Sequence, residues 1–191
     1  MKKAIFLDRD GTINVEKHYL YRIKDFEYID GVIDALQILD RLGYMLIIIT
    51  NQSGIARGYY TEKDFIHLSL WMLEDLKKKK INISQIYYCP HCLEGRVKEY
   101  VIKCKCRKPG TQLFWEAQKE FNISMAHSYA IGDKMRDISI CQECDIQGII
   151  LEEPNNNVQL NNIENKMYKK LWRCQNLYEA AKLIAVKGYK N

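Results

Sequence analysis

The chain has 191 residues, 47% hydrophobic and 28% charged, with only 10 Gly and 3 Pro; this is the composition of one packed domain and excludes disordered, collagenous and two-large-domain architectures. The longest apolar run, residues 45–49, is far short of the roughly 20 residues that cross a bilayer. A net charge of +5 permits an anionic ligand without pointing to one, and Asp8 interrupts the N-terminal apolar stretch before a signal region develops, so the chain is expected to stay in the cytoplasm.

Residues 3–7 are a short apolar run ended by Asp8, and residues 44–49 an isoleucine-rich run ended by Thr50; both read as buried parallel strands. Between them Val32, Leu36, Leu39 and Leu42 recur at helical spacing, with Gly43 as the stop. Thr61, with Asp64 three residues on, starts a second helix that carries Phe65, Leu68, Met72, Leu73 and Leu76 toward a core. The lysines of 77–80 suit the last turn of that helix, where cations meet the negative end of its dipole, better than a nucleic-acid site.

Further strands are expected at 86–89, 129–131 and 148–151, with a helix over 112–121 and a short helix before the fifth strand. The asparagine-rich stretch 152–166 reads as a loop, and a last strand over 171–174 and helix over 177–185 close the chain. This alternation predicts an α/β fold with a doubly wound, mostly parallel sheet covered by helices.

In such a sheet ligands bind beyond the carboxyl ends of the strands. Those ends carry Asp8-Arg9-Asp10-Gly11-Thr12, then Thr50-Asn51-Gln52-Ser53-Gly54, then Gly132-Asp133-Lys134-Met135-Arg136-Asp137. Asp8 and Asp10 can bring a carboxylate and a backbone carbonyl to one point and Asp133 a third oxygen, a hard donor set suited to Mg²⁺ beside a phosphate. Lys108 and Lys134 add cations for the same anion. Any one of these acids taken alone is better explained as a turn or helix cap. Three such clusters at three strand ends favour a phosphate site.

These four elements in order, Asp8-Arg9-Asp10-Gly11-Thr12, Thr50-Asn51, Lys108 and Gly132-Asp133 with Asp137, resemble the haloacid dehalogenase superfamily of phosphatases over nearly the whole chain. Extended by Gln52-Ser53-Gly54-Ile55-Ala56-Arg57-Gly58, Cys106-Arg107-Lys108-Pro109 and Lys134, they resemble most its heptose bisphosphate phosphatases. That resemblance implies a capless, Rossmann-like phosphatase that removes the 7-phosphate from a small-molecule sugar bisphosphate, for the making of nucleotide-activated heptose for lipopolysaccharide or surface polysaccharide. The anomer preferred stays open.

The resemblance also implies roles. Asp8 would be the nucleophile that forms an aspartyl phosphate, Asp10 the general acid and base, and Thr50 and Lys108 the groups that meet charge on the phosphoryl oxygens. Asp8, Asp10 and Asp133 would hold Mg²⁺. Arg107 and Lys134 would face the substrate, with Asn51, Gln52 and Ser53, and Glu16, Lys17, His18 and Tyr19 would form a substrate-contacting flap.

Seven cysteines are many for a reducing compartment, and Cys89, Cys92, Cys104 and Cys106 fall within eighteen residues, which suggests metal before disulfide. Spacing alone leaves His91 and Cys92 open as the second ligand. The family pattern implies a closed structural Zn²⁺ site of Cys89, His91, Cys104 and Cys106 in an insertion spanning 89–109 of a single domain 1–191. Its twelve-residue loop between the ligand pairs is longer than in histidinol-phosphate phosphatases, the nearest alternative. Cys141 and Cys144 are expected to be buried helix residues rather than a redox pair. A zinc-containing nucleic-acid module would need a clustered basic and aromatic face, whereas the 13 Tyr are scattered. The expected protein is a monomer that binds neither nucleic acid nor membrane.

Overall fold

The structure is a computed structural model that describes residues 1–152 and 171–188. Its strands β1 (Ala4–Leu7), β2 (Met45–Asn51), β3 (Ile83–Cys89), β4 (Tyr129–Gly132), β5 (Gln147–Leu151) and β6 (Leu171–Cys174) pair in the order β3-β2-β1-β4-β5-β6, each pair parallel. The helices are α1 (Val32–Arg41), α2 (Ser53–Arg57), α3 (Glu62–Lys78), α4 (Gln112–Phe121) and α5 (Leu177–Gly188). Among the described residues no helix is long and apolar enough to cross a membrane.

Every residue of β1 is buried, because the sheet is covered on both faces. Ile5 and Leu7 pack with Leu36 and Leu39 of α1, Met72 and Leu76 of α3 and Ala180 and Ile184 of α5. Ala4 and Phe6 point the other way, toward Leu113, Phe114 and Ala117 of α4, and the rings of Phe6 and Phe114 meet edge-on at 5.4 Å. The Thr61 cap of α3 is a full capping box: Thr61 Oγ1 accepts from Asp64 N–H at 3.2 Å, and Thr61 N–H donates to Asp64 Oδ2 at 2.8 Å.

The departures from the sequence reading have local causes. β2 extends two residues past its apolar run, since Thr50 and Asn51 pair with Tyr88 and Cys89 of β3 through backbone groups that are blind to side-chain polarity. β3 begins at Ile83 rather than at 86, which an edge strand with polar Ser84 and Gln85 can do. The five-residue helix α2 has no periodicity from which to be read. The segment after β4 is a kinked 3-10 helix, Met135–Gln142, with Ile138 off helical geometry; Cys141 is buried in the second core, but Cys144 lies beyond the helix and is only half-buried. Of the loop expected at 152–166, all but Glu152 lies outside the described residues.

Candidate active site

The strand order reverses direction between β1 and β4, so their carboxyl ends diverge into a crevice. Asp8 continues β1, its N–H donating to Ile131 O of β4 at 3.1 Å. Asp133 follows β4. Lys108 reaches this point from the long connection between β3 and α4, and its ammonium is buried among oxygens: 2.7 Å from Asp8 Oδ1, 2.8 Å from Asp137 Oδ1 and 2.6 Å from Ile49 O. Burial lowers the proton affinity of this amine, but the two carboxylates raise it more, and it stays above the ordinary lysine range. Burial pushes Asp8 up to about 6, with Lys108 pulling it down and Asp137 and Asp10 pushing it up. At neutral pH Asp8 is a carboxylate beside a cation.

Asp8, Asp133 and Asp137 offer oxygens that all lie within 4.8 Å of one another. Among the described residues the buried Asp133 Oδ1 has no hydrogen-bond partner, while its Oδ2 lies 3.1 Å from Lys134 Nζ. A buried carboxylate oxygen without a donor is costly unless a cation meets it, and an all-oxygen set is the chemistry of a hard divalent ion, so these residues fit Mg²⁺. Gly11 makes room for Asp133. Its φ is +85°, and a Cβ there would stand 2.6 Å from Asp133 Oδ2. Gly11→Ala is therefore expected to weaken magnesium activation by at least roughly tenfold with little change in Asp8 chemistry at saturating metal, read from the Mg²⁺ dependence of turnover.

Asp10 is turned away from that cluster and tightly held. Arg9, 1% exposed, donates from Nη2 to both of its oxygens at 2.8 Å and from Nε to Oδ1 at 3.2 Å; Asn14 Nδ2 donates at 3.0 Å and Gln52 Nε2 at 3.0 Å. Burial pushes Asp10 up, but the Arg9 guanidinium and these hydrogen bonds leave it below the usual carboxylate range.

Two of the residues expected to touch substrate face inward. Gln52, 2% exposed, donates to Asp10 and to Thr50 Oγ1 at 2.9 Å and accepts from Tyr60 Oη at 2.5 Å, so its amide orients the acid and the hydroxyl rather than a ligand. Asn51 clamps the backbone of Lys108, donating to its carbonyl and accepting from its N–H, each at 3.0 Å. Both still border the cleft, of about 180 Å³, together with Asp10, Glu16, His18, Tyr19, Ser53 and Arg107. Neither Lys17 nor Lys134 lines it; Lys17 pairs with Glu27 at 2.7 Å, and Lys134 with Asp133 at 3.1 Å. Three lining residues went unassigned in the sequence: Leu20, Tyr60 and Arg136. Arg136 had a signal, its place between Asp133 and Asp137.

Cys89, His91, Cys104 and Cys106 converge: Cys89 Sγ is 3.6 Å from Cys104 Sγ and 3.1 Å from Cys106 Sγ, and His91 Nδ1 is 3.5 Å and 3.2 Å from the sulfurs of Cys89 and Cys106. A tetrahedron with metal–sulfur bonds near 2.3 Å has edges of about 3.8 Å, so the cage is somewhat tight for Zn²⁺ but of its shape and chemistry. Cys92 is outside the cage, with its N–H donating to Tyr100 O at 3.1 Å. The outer part of the loop docks on α2 and α3: Ala56 O accepts from Arg96 and Val97 N–H at 2.7 and 2.9 Å, Arg57 pairs with Glu94 at 2.5 Å, and Tyr100 Oη donates to Glu62 at 2.9 Å.

Residues 3–170 match the family described as polynucleotide kinase 3 phosphatase. The chain is 49% identical over 138 residues to a Haemophilus influenzae protein named D-glycero-beta-D-manno-heptose-1,7-bisphosphate 7-phosphatase, covering 72% of this chain and 74% of that one. A Pasteurella multocida protein of the same name is 46% identical over 151 residues, 79% and 82% of the two chains. Among solved structures, D,D-heptose 1,7-bisphosphate phosphatase from B. bronchiseptica, complexed with magnesium and phosphate, superimposes with a TM-score of 0.81 at 22% identity over 97% of this chain and 99% of that one, a likeness of fold.

Proposed function

The chain belongs to the D-glycero-β-D-manno-heptose-1,7-bisphosphate 7-phosphatase family of the haloacid dehalogenase superfamily, and from that premise we propose how its own residues remove the 7-phosphate and release heptose 1-phosphate. It is a phosphomonoester hydrolase acting on a small sugar bisphosphate. Its product would feed nucleotide-activated heptose for lipopolysaccharide or surface polysaccharide. The observation that carries the mechanism is the buried Asp8–Lys108–Asp137 chain beside Asp133 at the ends of β1 and β4.

A carboxylate oxygen of Asp8 attacks the phosphorus of the 7-phosphate; the bond from phosphorus to the C7 oxygen breaks, and that oxygen takes its proton from Asp10. Water then attacks the aspartyl phosphate, Asp10 accepts its proton, and inorganic phosphate leaves. Arg9 holds Asp10 ionised in the free chain, and an arriving phosphate dianion raises its affinity for the proton it must deliver. Lys108 offsets charge on the transferring oxygens, anchored from behind by Asp137. Thr50 Oγ1 already accepts from Gln52, which leaves its hydroxyl hydrogen for a phosphoryl oxygen. Mg²⁺, held by the Asp8 carboxylate, the Asp10 carbonyl and Asp133, would supply charge neutralisation at the phosphate. Glu16, His18, Tyr19, Ser53, Arg107 and Lys134 are left to contact the sugar and its second phosphate.

The names of the relatives support the β anomer. Purified protein is expected to turn over the β bisphosphate faster than the α form and to release phosphate from histidinol phosphate weakly or not at all. A preference for histidinol phosphate overturns the substrate assignment.

We assign the cage of Cys89, His91, Cys104 and Cys106 to structural zinc, holding the 89–109 insertion of a single phosphatase domain. Burial pushes the Cys89 and Cys106 thiols up, so an entering metal displaces protons and binds less well as pH falls. Metal analysis should find about one zinc per chain. Cys104→Ser should lose it, with a fall in turnover of at least about tenfold as Arg107 and Lys108 lose their support. A zinc-free protein of full activity rules the assignment out.

A further inference from the structure

The cleft is bordered by two arginines from different segments, Arg107 from the cysteine-rich insertion and Arg136 from the first turn of the 3-10 helix after β4. Near the site, Arg9 is occupied by Asp10 and Arg57 by Glu94. Arg107 donates one long hydrogen bond, 3.4 Å, to His91 O. Arg136 is freer still. Among the described residues its guanidinium makes no hydrogen bond, and its one ionic neighbour is Asp137 Oδ1 at 3.9 Å, an oxygen already 2.8 Å from Lys108.

Depth separates Arg136 from the groups that meet the transferring phosphate. The side chains of Lys108 and Asp137 are 1% exposed, whereas that of Arg136 is 44% exposed. A sugar with a phosphate at each end places one anion among the buried groups and leaves the other near the mouth. A guanidinium with unoccupied donors is well matched there, since its planar fork binds phosphate oxygens in pairs.

We infer that Arg136 is a specificity-determining residue that, with Arg107, grips the phosphate retained on C1 of the substrate. This rests on the heptose bisphosphate reading and deepens it. Of the acidic residues of the cleft, Asp10 is paired with Arg9, and Glu16, which accepts the N–H of His18 at 3.0 Å, is outnumbered by the two arginines, so the mouth offers the retained dianion more positive than negative charge.

The test compares Arg136→Gln and Arg136→Lys with the unaltered protein on heptose 1,7-bisphosphate and on heptose 7-phosphate, which lacks the C1 phosphate. Arg136→Gln is expected to lower kcat/KM for the bisphosphate by roughly ten- to hundredfold, mainly through KM, with the monophosphate rate unchanged. Arg136→Lys should recover part of that loss. Equal losses on both substrates would place Arg136 at the transferring phosphate or in a structural role, and no loss on either would remove it from recognition; both outcomes overturn the inference. Failure of the unaltered protein to hydrolyse the bisphosphate would instead overturn the reading beneath it.

Discussion

Asp8→Asn is expected to reduce phosphate release from heptose 1,7-bisphosphate by at least about 10⁴-fold while the protein stays folded. The amide keeps the shape of the carboxylate but lacks its nucleophilic oxygen and cannot form the aspartyl phosphate. The fold should tolerate it because Lys108 keeps its contacts to Asp137 at 2.8 Å and Ile49 O at 2.6 Å, and because burial already disfavours the charged form of Asp8. Acid quenching during turnover should trap a phosphoprotein in the unaltered chain and none in the variant, and thermal melts should nearly coincide. Substantial residual turnover by a folded Asp8→Asn protein would exclude nucleophilic catalysis by this residue.

Lys108→Met should damage both turnover and stability. It leaves Asp8 and Asp137, both buried, facing each other without the cation that lies 2.7 and 2.8 Å from them. Removing one partner of a buried ionic group costs about 3–5 kcal/mol, and loss of the charge on the transferring oxygens about 10²–10³-fold in turnover. The stability deficit should depend on pH in a definite direction. Asp8 has a folded-state value raised to about 6 from 3.8, so the folded chain binds the extra proton more tightly, and stability from this group falls as pH rises from about 4 to about 6. Without Lys108 the carboxyl rises further. The deficit is then full at pH 7.5 and shrinks toward pH 5, where protonation relieves the repulsion. Urea unfolding at both pH values, without added magnesium, reads the difference; a deficit that grows toward pH 5 contradicts the pairing.

What was legible in the chain depended on the range over which each feature is encoded. The helix over 112–121 and the strand over 171–174 agree with α4 and β6 because apolar spacing repeats within a few residues. The acidic strand ends were legible for a related reason: a polar residue closing an apolar run marks where a buried strand meets solvent. α2 was missed because five residues carry too little periodicity, and Thr50 and Asn51 extended β2 because pairing with β3 is a property of the neighbouring backbone.

The roles of Gln52, Asn51 and Arg9 had a different origin. A short polar motif at a strand end suggests contact with substrate, yet a side chain beside a buried carboxylate or an unpaired amide is drawn inward to satisfy it. Gln52 therefore serves Asp10 and Thr50, Asn51 serves the backbone of Lys108, and Arg9 is buried against Asp10. Partners of this kind are chosen by proximity in space.

The sequence by itself determined the strands, the longer helices, the chemical inventory at the strand ends and the cysteine cluster, since each is written in neighbouring residues. Only the tertiary structure decided that Lys108, one hundred residues from Asp8, sits between it and Asp137, that Gln52 and Asn51 turn inward to Asp10 and to the backbone of Lys108, and that Arg136 stands open at the cleft. The strand order that places β1 beside β4 brings those groups together, and burial makes their pairing strong. No local pattern records either effect.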